Sequence, residues 1–396
     1  MKMKIDILPN YYLREDETYN KEGAINLSGK IAGVCYDKEG LHHLMNEPES
    51  RTARRIDMTL NNGHHSVYDH AMIGLNIQNI PKILAMVINN EKQYTTSEKS
   101  ARYTPVVRGE DSVITADEEM LYNKWIEIFK VKIKDMYGHI YSDAKIQKLA
   151  QENARYLVTV FMPTTMVYTT SLRQLNYLAS WMDKYRNSPL KTNFEKKLAD
   201  AMGEFISELD RLNILEDGLL KNEKDRSLSL FGKDLDKTEE VFSNVYSTTY
   251  KASFAMLAQA QRHRTLDYQM EFLDEKEYYV PPIIASDEVL VSEWLNDMKT
   301  VKEVTPQGEL VLISEMGTFD NFILKCKERL CTEAQLEIMH QTRDTLLKYK
   351  EELERKNHPL KDNVKQYTLG ARCTFKDFKC SSNCKFKEGI NLTRKI

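Results

Sequence analysis

Two stretches of this 396-residue chain decide its fold: Arg-His-Arg at residues 262–264 and Glu-Lys-Ser-Ala-Arg-Tyr at residues 98–103. The triplet follows an apolar segment, Ser253 to Gln261, that predicts a helix. An apolar segment beginning at Pro81 leads in the same way into residues 90–92 and then into the other stretch. Because the landmarks recur in the same order, we predict two related repeats that share one motif.

Periodicity predicts both strands and helices in this chain. Residues 70–79 alternate apolar with polar side chains, as a strand does, and Pro81 then opens a helix that runs through Ile88. Asn193 is a predicted N-cap, and the capping-box pattern of residues 332–335 predicts a second long helix that continues through Leu353. The helix after Asn193 is indicated by Phe194, Leu198, Met202, Phe205, Leu209 and Leu212.

These patterns predict an α+β fold in which each repeat is a sheet packed with long helices. We place the first repeat at residues 1–216 and a polar connection at residues 217–240. The second repeat then spans residues 241–358, and residues 359–396 form a cysteine-containing tail.

The composition favours a protein that binds a small ligand over one that binds a nucleic acid polymer or a membrane. The net charge of -3 argues against a surface that coats a nucleic acid polymer, and no apolar run approaches the roughly 20 residues that span a membrane. The chain begins without a signal-peptide core, so we expect a cytoplasmic protein. The six cysteines make a disulfide framework improbable in a chain of this size.

The triplet could bind an anion. On a continuous helix Gln259, Arg262 and His263 would share one face and could converge on one ligand. An arginine fork suits a phosphate or the imide edge of a pyrimidine. Taken alone, the same residues are explained better by a solvated basic helix end.

Together the motifs resemble flavin-dependent thymidylate synthases, in which Arg-His-Arg is followed by a serine, an Asn-Glu pair and Ser-x-Arg-Tyr. The first half keeps the later part of this signature, with Thr95, Ser97-Glu98 and Ser100-x-Arg102-Tyr103, whereas Asn-Glu-Lys at 90–92 stands in the place of the triplet. Residues 63–70, Gly-His-His-Ser-Val-Tyr-Asp-His, resemble the family's segment near the flavin.

The second half is complementary. It keeps the triplet but has lost the motif serine, and Arg329 matches a family arginine that contacts the uracil nucleotide, where the first half has Met182. Conversely, Arg173 matches a flavin-contacting arginine, where the second half has Asp320. Lys302 stands in the place of another nucleotide-binding arginine.

The resemblance implies reductive methylation of dUMP to dTMP, with methylenetetrahydrofolate as the carbon donor and FAD carrying hydride from NADPH. Family members are homotetramers, so the fused repeats imply a homodimer that imitates them. Arg262 and Arg329 are the implied catalytic residues. The implied nucleotide-binding residues are Ser100, Arg102, Gln259, Arg262, Lys302 and Arg329. The implied FAD-binding residues are His64, Ser66, Glu98, Arg173, His263 and Arg264.

Other functions remain open at this point. The altered motifs also suit another pyrimidine modification, such as hydroxymethylation, or a non-catalytic nucleotide-binding relative. An RNA-binding protein that uses Arg262, Arg264 and Tyr268 is a weaker alternative, because aromatic residues are sparse around them.

No metal site is expected among the histidines, because His64, His65 and His70 have no partner at a convincing zinc spacing. A weaker candidate is the trio Cys373, Cys380 and Cys384, whose spacing matches no standard finger. His358 or Cys331 could supply a fourth ligand, or the cysteines could lie on a flexible tail.

Overall fold

The chain folds as an α+β protein with two four-stranded antiparallel sheets, as predicted. A computed structural model describes residues 2–100, 106, 108, 112–221, 226–381, 384 and 386–396. The strands are β1 Lys4–Ile7, β2 Met72–Pro81, β3 Thr95–Glu98, β4 Pro163–Ser171, β5 Val241–Phe242, β6 Val245–Ser253, β7 Asp267–Phe272 and β8 Leu310–Thr318. The helices are α1 Lys21–Ile31, α2 Leu41–Met45, α3 Glu49–Asn61, α4 Lys82–Asn90, α5 Ala116–Tyr137, α6 Asp143–Ala154, α7 Leu172–Arg186, α8 Asn193–Arg211, α9 Asp217–Leu220, α10 Phe254–Ala260, α11 Glu288–Thr300, α12 Phe319–Arg329, α13 Leu336–Arg355, α14 Lys361–Lys365 and α15 Lys387–Ile390.

The two sheets have the same strand order. The first is β1-β2-β4-β3 and the second is β5-β6-β8-β7. In the first, Thr95 of β3 pairs with Thr169 of β4; in the second, Asp267 of β7 pairs with Met316 of β8. A bulge between Ile77 and Ile80 interrupts β2. In each sheet the second strand leads into a helix, α4 or α10, and the central β4 or β8 leads into another, α7 or α12.

The chain divides into two compact units. The first contains residues 1–99 and 163–228, and the second contains residues 100–162 and 229–396. The sequence prediction had kept residues 100–162 in the first repeat. They belong with the second unit because α5 and α6 share its core with α11, where the Trp125 and Trp294 rings meet edge to face at 4.8 Å.

The first unit is built around β2 and β4. Alternate residues of β2, Ile73, Leu75 and Ile77, are fully buried, which confirms the predicted strand although it is displaced by two residues. Helix α8 confirms the predicted stripe, because its Phe194, Leu198, Met202, Phe205 and Leu209 are buried, and so is Leu212 directly after the helix. No helix in the described part of the chain has both the length and the apolar character needed to cross a membrane.

Two predicted helix starts were wrong. Helix α8 is capped by Thr192, not Asn193, because the Thr192 hydroxyl accepts from the backbone N–H of Glu195 and the Glu195 carboxylate closes a capping box. Helix α13 is capped by Gln335, whose side-chain oxygen accepts from Ile338 N at 3.0 Å, so Thr332 lies outside it. In both cases the residue directly before the helix provides the cap.

The described residues of the C-terminal segment pack against the second unit. Ala371 N donates to Ile390 O at 2.7 Å, and Arg372 N donates to Leu330 O at the same distance. Gly370 has a φ of +144°, and a Cβ there would lie 2.5 Å from Ile390 O. Glycine is therefore required where the segment turns onto α12.

The Trp294→Ala substitution should destabilise the protein by about 3–5 kcal/mol, because it empties a fully buried site and removes the donor to Tyr279 O. Urea unfolding followed by circular dichroism measures the loss. Val131→Ala is the control, since Val131 is exposed on α5 and its truncation should change stability by less than about 0.5 kcal/mol. Equal effects of the two substitutions would contradict the position of this core.

Candidate active site

The Arg-His-Arg triplet lies in a turn, not on a helix. Helix α10 ends at Ala260, where the N–H of Gln261 bonds back to Leu257 O and Gln259 O. His263 N then donates to Ala260 O at 2.9 Å, which tightens the chain into a turn before β7. The prediction that Gln259, Arg262 and His263 share a helix face was therefore wrong.

The turn nevertheless brings three candidate residues together. Arg329, the last residue of α12, donates from Nε to His263 Nε2 at 2.6 Å and from Nη2 to the backbone oxygen of Gln259 at 3.2 Å. Gln259 contributes its carbonyl group to this contact, whereas the prediction assigned it a ligand-binding role. The guanidinium of Arg329 is thus held by two neutral acceptors.

His263 is neutral in this position. Burial lowers the pKa of its imidazole to about 2, and the nearby cations Arg329 and Lys325 act in the same direction. Since Nε2 accepts from Arg329, the ring proton belongs on Nδ1, which faces Glu328 Oε2 at 3.5 Å. His263 is only 4% exposed, so its side chain orients Arg329 and does not face solvent.

The remaining candidates of the second unit lie at its surface. Arg262 and Arg264 are both exposed on the turn. Lys302 lies in a short 3-10 helix, is 55% exposed and stands 3.9 Å from Glu303. Within the described residues no hydrogen bond or ion pair links Lys302 to Arg329.

Buried polar networks fix the elements that carry this cluster. On α12, Lys325 pairs with Glu315 of β8 at 2.6 Å, and both side chains are fully buried. At the start of α10, Ser253 donates its backbone N–H and its hydroxyl to Glu337 of α13. Burial raises the pKa of Glu337, although these hydrogen bonds oppose the shift. Removing one partner from either network would leave a buried polar group without a hydrogen-bond partner.

In the first unit, a carboxylate holds Arg173. Arg173 lies in the first turn of α7, whose N-cap is Ser171, and its Nη2 forms an ion pair with Asp69 at 2.6 Å. Ser171 also donates to Asp69, at 2.6 Å. Beneath them His65 bonds through Nδ1 to the hydroxyl of Tyr177 at 2.8 Å.

Of the other predicted FAD-binding residues in the first unit, His64 and Ser66 lie at the surface and Glu98 forms an ion pair. His64 and Ser66 are exposed at the start of a 3-10 helix, residues 65–70. The carboxylate of Glu98 is 4% exposed and accepts from Lys82 Nζ at 2.5 Å. Ser100 is half-buried, and Arg102 lies outside the described residues.

The first unit has different residues in the places of His263 and Arg329. Met182 lies as far beyond the cap Ser171 as Arg329 lies beyond the cap Thr318, and Met182 is fully buried. Glu91 occupies the place of His263 and forms an ion pair with Arg226. The Arg226 guanidinium also lies 3.9 Å above the Trp181 ring. A cation from a distant segment thus approaches a carboxylate in this unit.

Sequence interpretation missed Asp69, Glu91 and Arg226 as determinants of these positions. The sequence could have indicated Asp69, because Asp69 lies within residues 63–70, the segment that resembles the family's segment near the flavin. Arg226 gave no signal, since it lies in a polar stretch far from Glu91 in sequence.

Comparisons with known proteins converge on one family. Residues 18–188 match the family model described as thymidylate synthase complementing protein. The chain is 22% identical over 179 residues to the flavin-dependent thymidylate synthase of Pyrococcus furiosus, which covers 43% of this chain and 67% of that protein.

Two solved structures are also similar to this chain, each at 14% identity. The UMP/dUMP methylase PolB of Streptomyces cacaoi, bound with 5-Br dUMP, covers 54% of this chain and 97% of its own, with a TM-score of 0.30. Thymidylate Synthase X of Helicobacter pylori, with FAD and dUMP, covers 53% and 98%, with a TM-score of 0.29.

His263 should make stability depend on pH. An unfolded histidine has a pKa of about 6.5, so the folded chain, with a pKa of about 2 here, binds fewer protons between these values. Stability is therefore present at neutral pH and is lost as the pH falls. Lowering the pH from about 7.5 to about 5 should cost up to about 2 kcal/mol through this residue.

Urea unfolding of the wild type and of His263→Gln at the two pH values isolates this contribution. The glutamine keeps an acceptor for Arg329 but does not titrate, while His340, whose pKa is lowered to about 4, is common to both proteins. Identical pH dependences would show that His263 is not held neutral by the fold.

Proposed function

We propose that this chain, of which residues 18–188 match the model of the thymidylate synthase complementing protein family, methylates dUMP to dTMP. Methylenetetrahydrofolate would donate the carbon and NADPH would supply the hydride. FAD, when bound, would supply the hydride transfer to the pyrimidine, which is the chemistry that a flavin cofactor contributes. The single observation that carries the proposal is the orientation of Arg329 by neutral His263.

Arg329 suits the nucleotide because two of its contacts fix the direction of its side chain. Its Nε donates to the imidazole nitrogen of His263 and its Nη2 donates to the carbonyl oxygen of Gln259, and neither of these acceptors carries a charge. In the proposed complex Arg329 stabilises negative charge that develops on the uracil ring. Arg262, together with Ser100, Arg102 and Lys302, completes the proposed nucleotide site.

Arg173 supports a role in binding FAD. Its Nη2 is engaged by Asp69, but its buried Nε has no hydrogen-bond partner within the described residues. An acceptor oxygen of the cofactor would satisfy that donor. His64 and Ser66 are exposed on the segment that carries Asp69, and the exposed Arg264 is a further proposed FAD-binding residue. Glu98 is the weakest member of the proposed set, because Lys82 already occupies its carboxylate.

A tandem duplication with divided functions explains the differences between the units. Both sheets have the same strand order, and the triplet and residues 90–92 occupy corresponding places between the second strand and the edge strand. At the corresponding position of the helix after the central strand, counted from its N-cap, the second unit has Arg329 and the first unit has Met182. We therefore propose that each chain retains one type of nucleotide site and that the protein acts as a homodimer.

Arg329→Met should weaken dUMP binding by roughly ten- to a hundredfold, the loss expected for charged hydrogen bonds. Methionine is chosen because Met182 stands at the corresponding place in the first unit. Isothermal titration of the FAD-loaded protein with dUMP measures the change. Arg355→Met is the matched control, since Arg355 is exposed on α13 and pairs only locally with Glu352.

Equal dUMP affinities for Arg329→Met and the control would remove Arg329 from the site. Thermal unfolding of both variants separates a binding defect from a folding defect, because a folded Arg329→Met protein should still melt close to the wild type.

Flavin reduction tests the activity as a whole. After incubation with FAD and removal of the excess, the protein should remain yellow, and NADPH without oxygen should bleach it at a rate that changes when dUMP is added. Product analysis with methylenetetrahydrofolate should then detect dTMP. A colourless protein would contradict the proposal, and a product other than dTMP would indicate another pyrimidine modification.

A further inference from the structure

Four cysteines converge where the C-terminal segment meets the end of α12. Cys331 follows α12, Cys373 lies in the 3-10 turn of residues 372–374, and Cys380 and Cys384 follow in the segment beyond it. All four line one cavity of about 500 Å³. All four are thiols and not disulfides, and the fold therefore gathers four soft ligands that the proposed reaction does not use.

The backbone around the cavity is built to hold two of these cysteines side by side. Arg372 N donates to Leu330 O at 2.7 Å, so the residues that follow them, Cys373 and Cys331, are neighbours. Arg372 also donates from Nη1 to Lys327 O at 3.1 Å. These contacts join the C-terminal segment to α12 independently of any bound group.

The C-terminal end of this segment is also held by hydrogen bonds. Arg394 is 2% exposed and donates from Nη2 to Ala334 O at 2.6 Å, while Arg343 donates to Leu392 O at 2.9 Å. Glu388 accepts from the hydroxyl of Tyr137 at 2.8 Å. The described residues before Cys373 and those from Glu388 onward are therefore both held by hydrogen bonds to the second unit.

The local charges favour a bound cation with thiolate ligands. The pKa of Cys373 is raised by burial and, in addition, by the thiols of Cys380, Cys384 and Cys331, so the four groups are close enough to repel one another as thiolates. A divalent cation would relieve that repulsion. Arg372 and Lys379 line the same cavity and would balance the net negative charge of four thiolates around such an ion.

We propose that Cys331, Cys373, Cys380 and Cys384 bind one zinc ion. Three residues separate Cys380 from Cys384, which is within the spacing of paired zinc ligands, and four thiolates in a tetrahedral array are a common structural zinc site. His358 is not the fourth ligand, because it does not line the cavity and its Nδ1 accepts from Leu360 N.

Zinc binding requires the four cysteine side chains to move closer to one another. In the described part of the chain no three His, Cys, Asp or Glu side chains already stand in an arrangement that could hold a metal ion. Zinc binding is therefore coupled to movement of the Cys380 and Cys384 side chains toward Cys331 and Cys373 and to the release of thiol protons. Because Cys331 N donates to Arg329 O at 2.8 Å, a bound ion would also stabilise the end of α12.

Metal analysis of the full chain, purified without chelator, tests the site. The wild type should contain about one zinc per chain, and Cys35→Ser, which removes an exposed thiol from the first unit, should contain the same amount. Cys380→Ser and Cys384→Ser should each lose most of it. Zinc content unchanged by the last two substitutions would overturn the proposal.

Cobalt substitution tests the ligands without relying on a variant that could misfold. Wild-type protein stripped by a chelator and loaded with Co²⁺ should show the strong sulfur-to-cobalt absorption and the intense visible bands of a tetrahedral thiolate site. The weak spectrum of hexahydrated cobalt would overturn the proposal. So would a thiol titration of freshly purified, metal-free protein that finds these four cysteines paired as disulfides.

Discussion

The hydrogen bond from Arg329 Nε to His263 Nε2 is the constraint on which the proposed site depends. It holds an arginine in one direction through an uncharged acceptor, and it does so only while the imidazole is neutral. Burial and the two neighbouring cations keep the imidazole neutral. The buried Lys325–Glu315 pair fixes α12 on the sheet, so the direction of Arg329 is set by the core as well as by its own contacts. Because an imidazolium could not accept this bond, protonation and loss of the arrangement are the same event.

The first unit places different side chains at the positions of His263 and Arg329. Its central strand and following helix occupy the same places in the strand order, but Met182 stands in the place of the arginine and Glu91 in the place of the histidine. Arg226 forms an ion pair with Glu91 and lies against Trp181. The same strand order therefore accommodates a histidine and an arginine in one unit and a carboxylate and a methionine in the other, and the proposed division of labour depends on this difference.

Local patterns predicted the elements but not their tertiary partners. Strand β2, helices α4 and α8 and the correspondence of residues 90–92 with the triplet follow from periodicity and spacing, which act over a few residues. The end of α10 at Ala260 did not follow, because hydrogen bonds in the turn compete with a helical sequence. The assignment of residues 100–162 also failed, since α5 and α6 gain their core from α11, far along the chain. The Glu91–Arg226 ion pair could not be predicted either, because the sequence around each residue gives no indication of the other.

The cysteine cluster shows why spacing left the tail open between a zinc site and a flexible segment. Three of its thiols lie in one segment at intervals unlike a standard zinc finger, and the fourth comes from the loop after α12. The hydrogen bond from Arg372 N to Leu330 O makes Cys331 a neighbour of Cys373, and the sequence around neither residue indicates this contact. The same loop begins directly after Arg329, and Cys331 N donates to Arg329 O, so the proposed zinc site lies beside the helix end that carries the key arginine of the proposed chemistry.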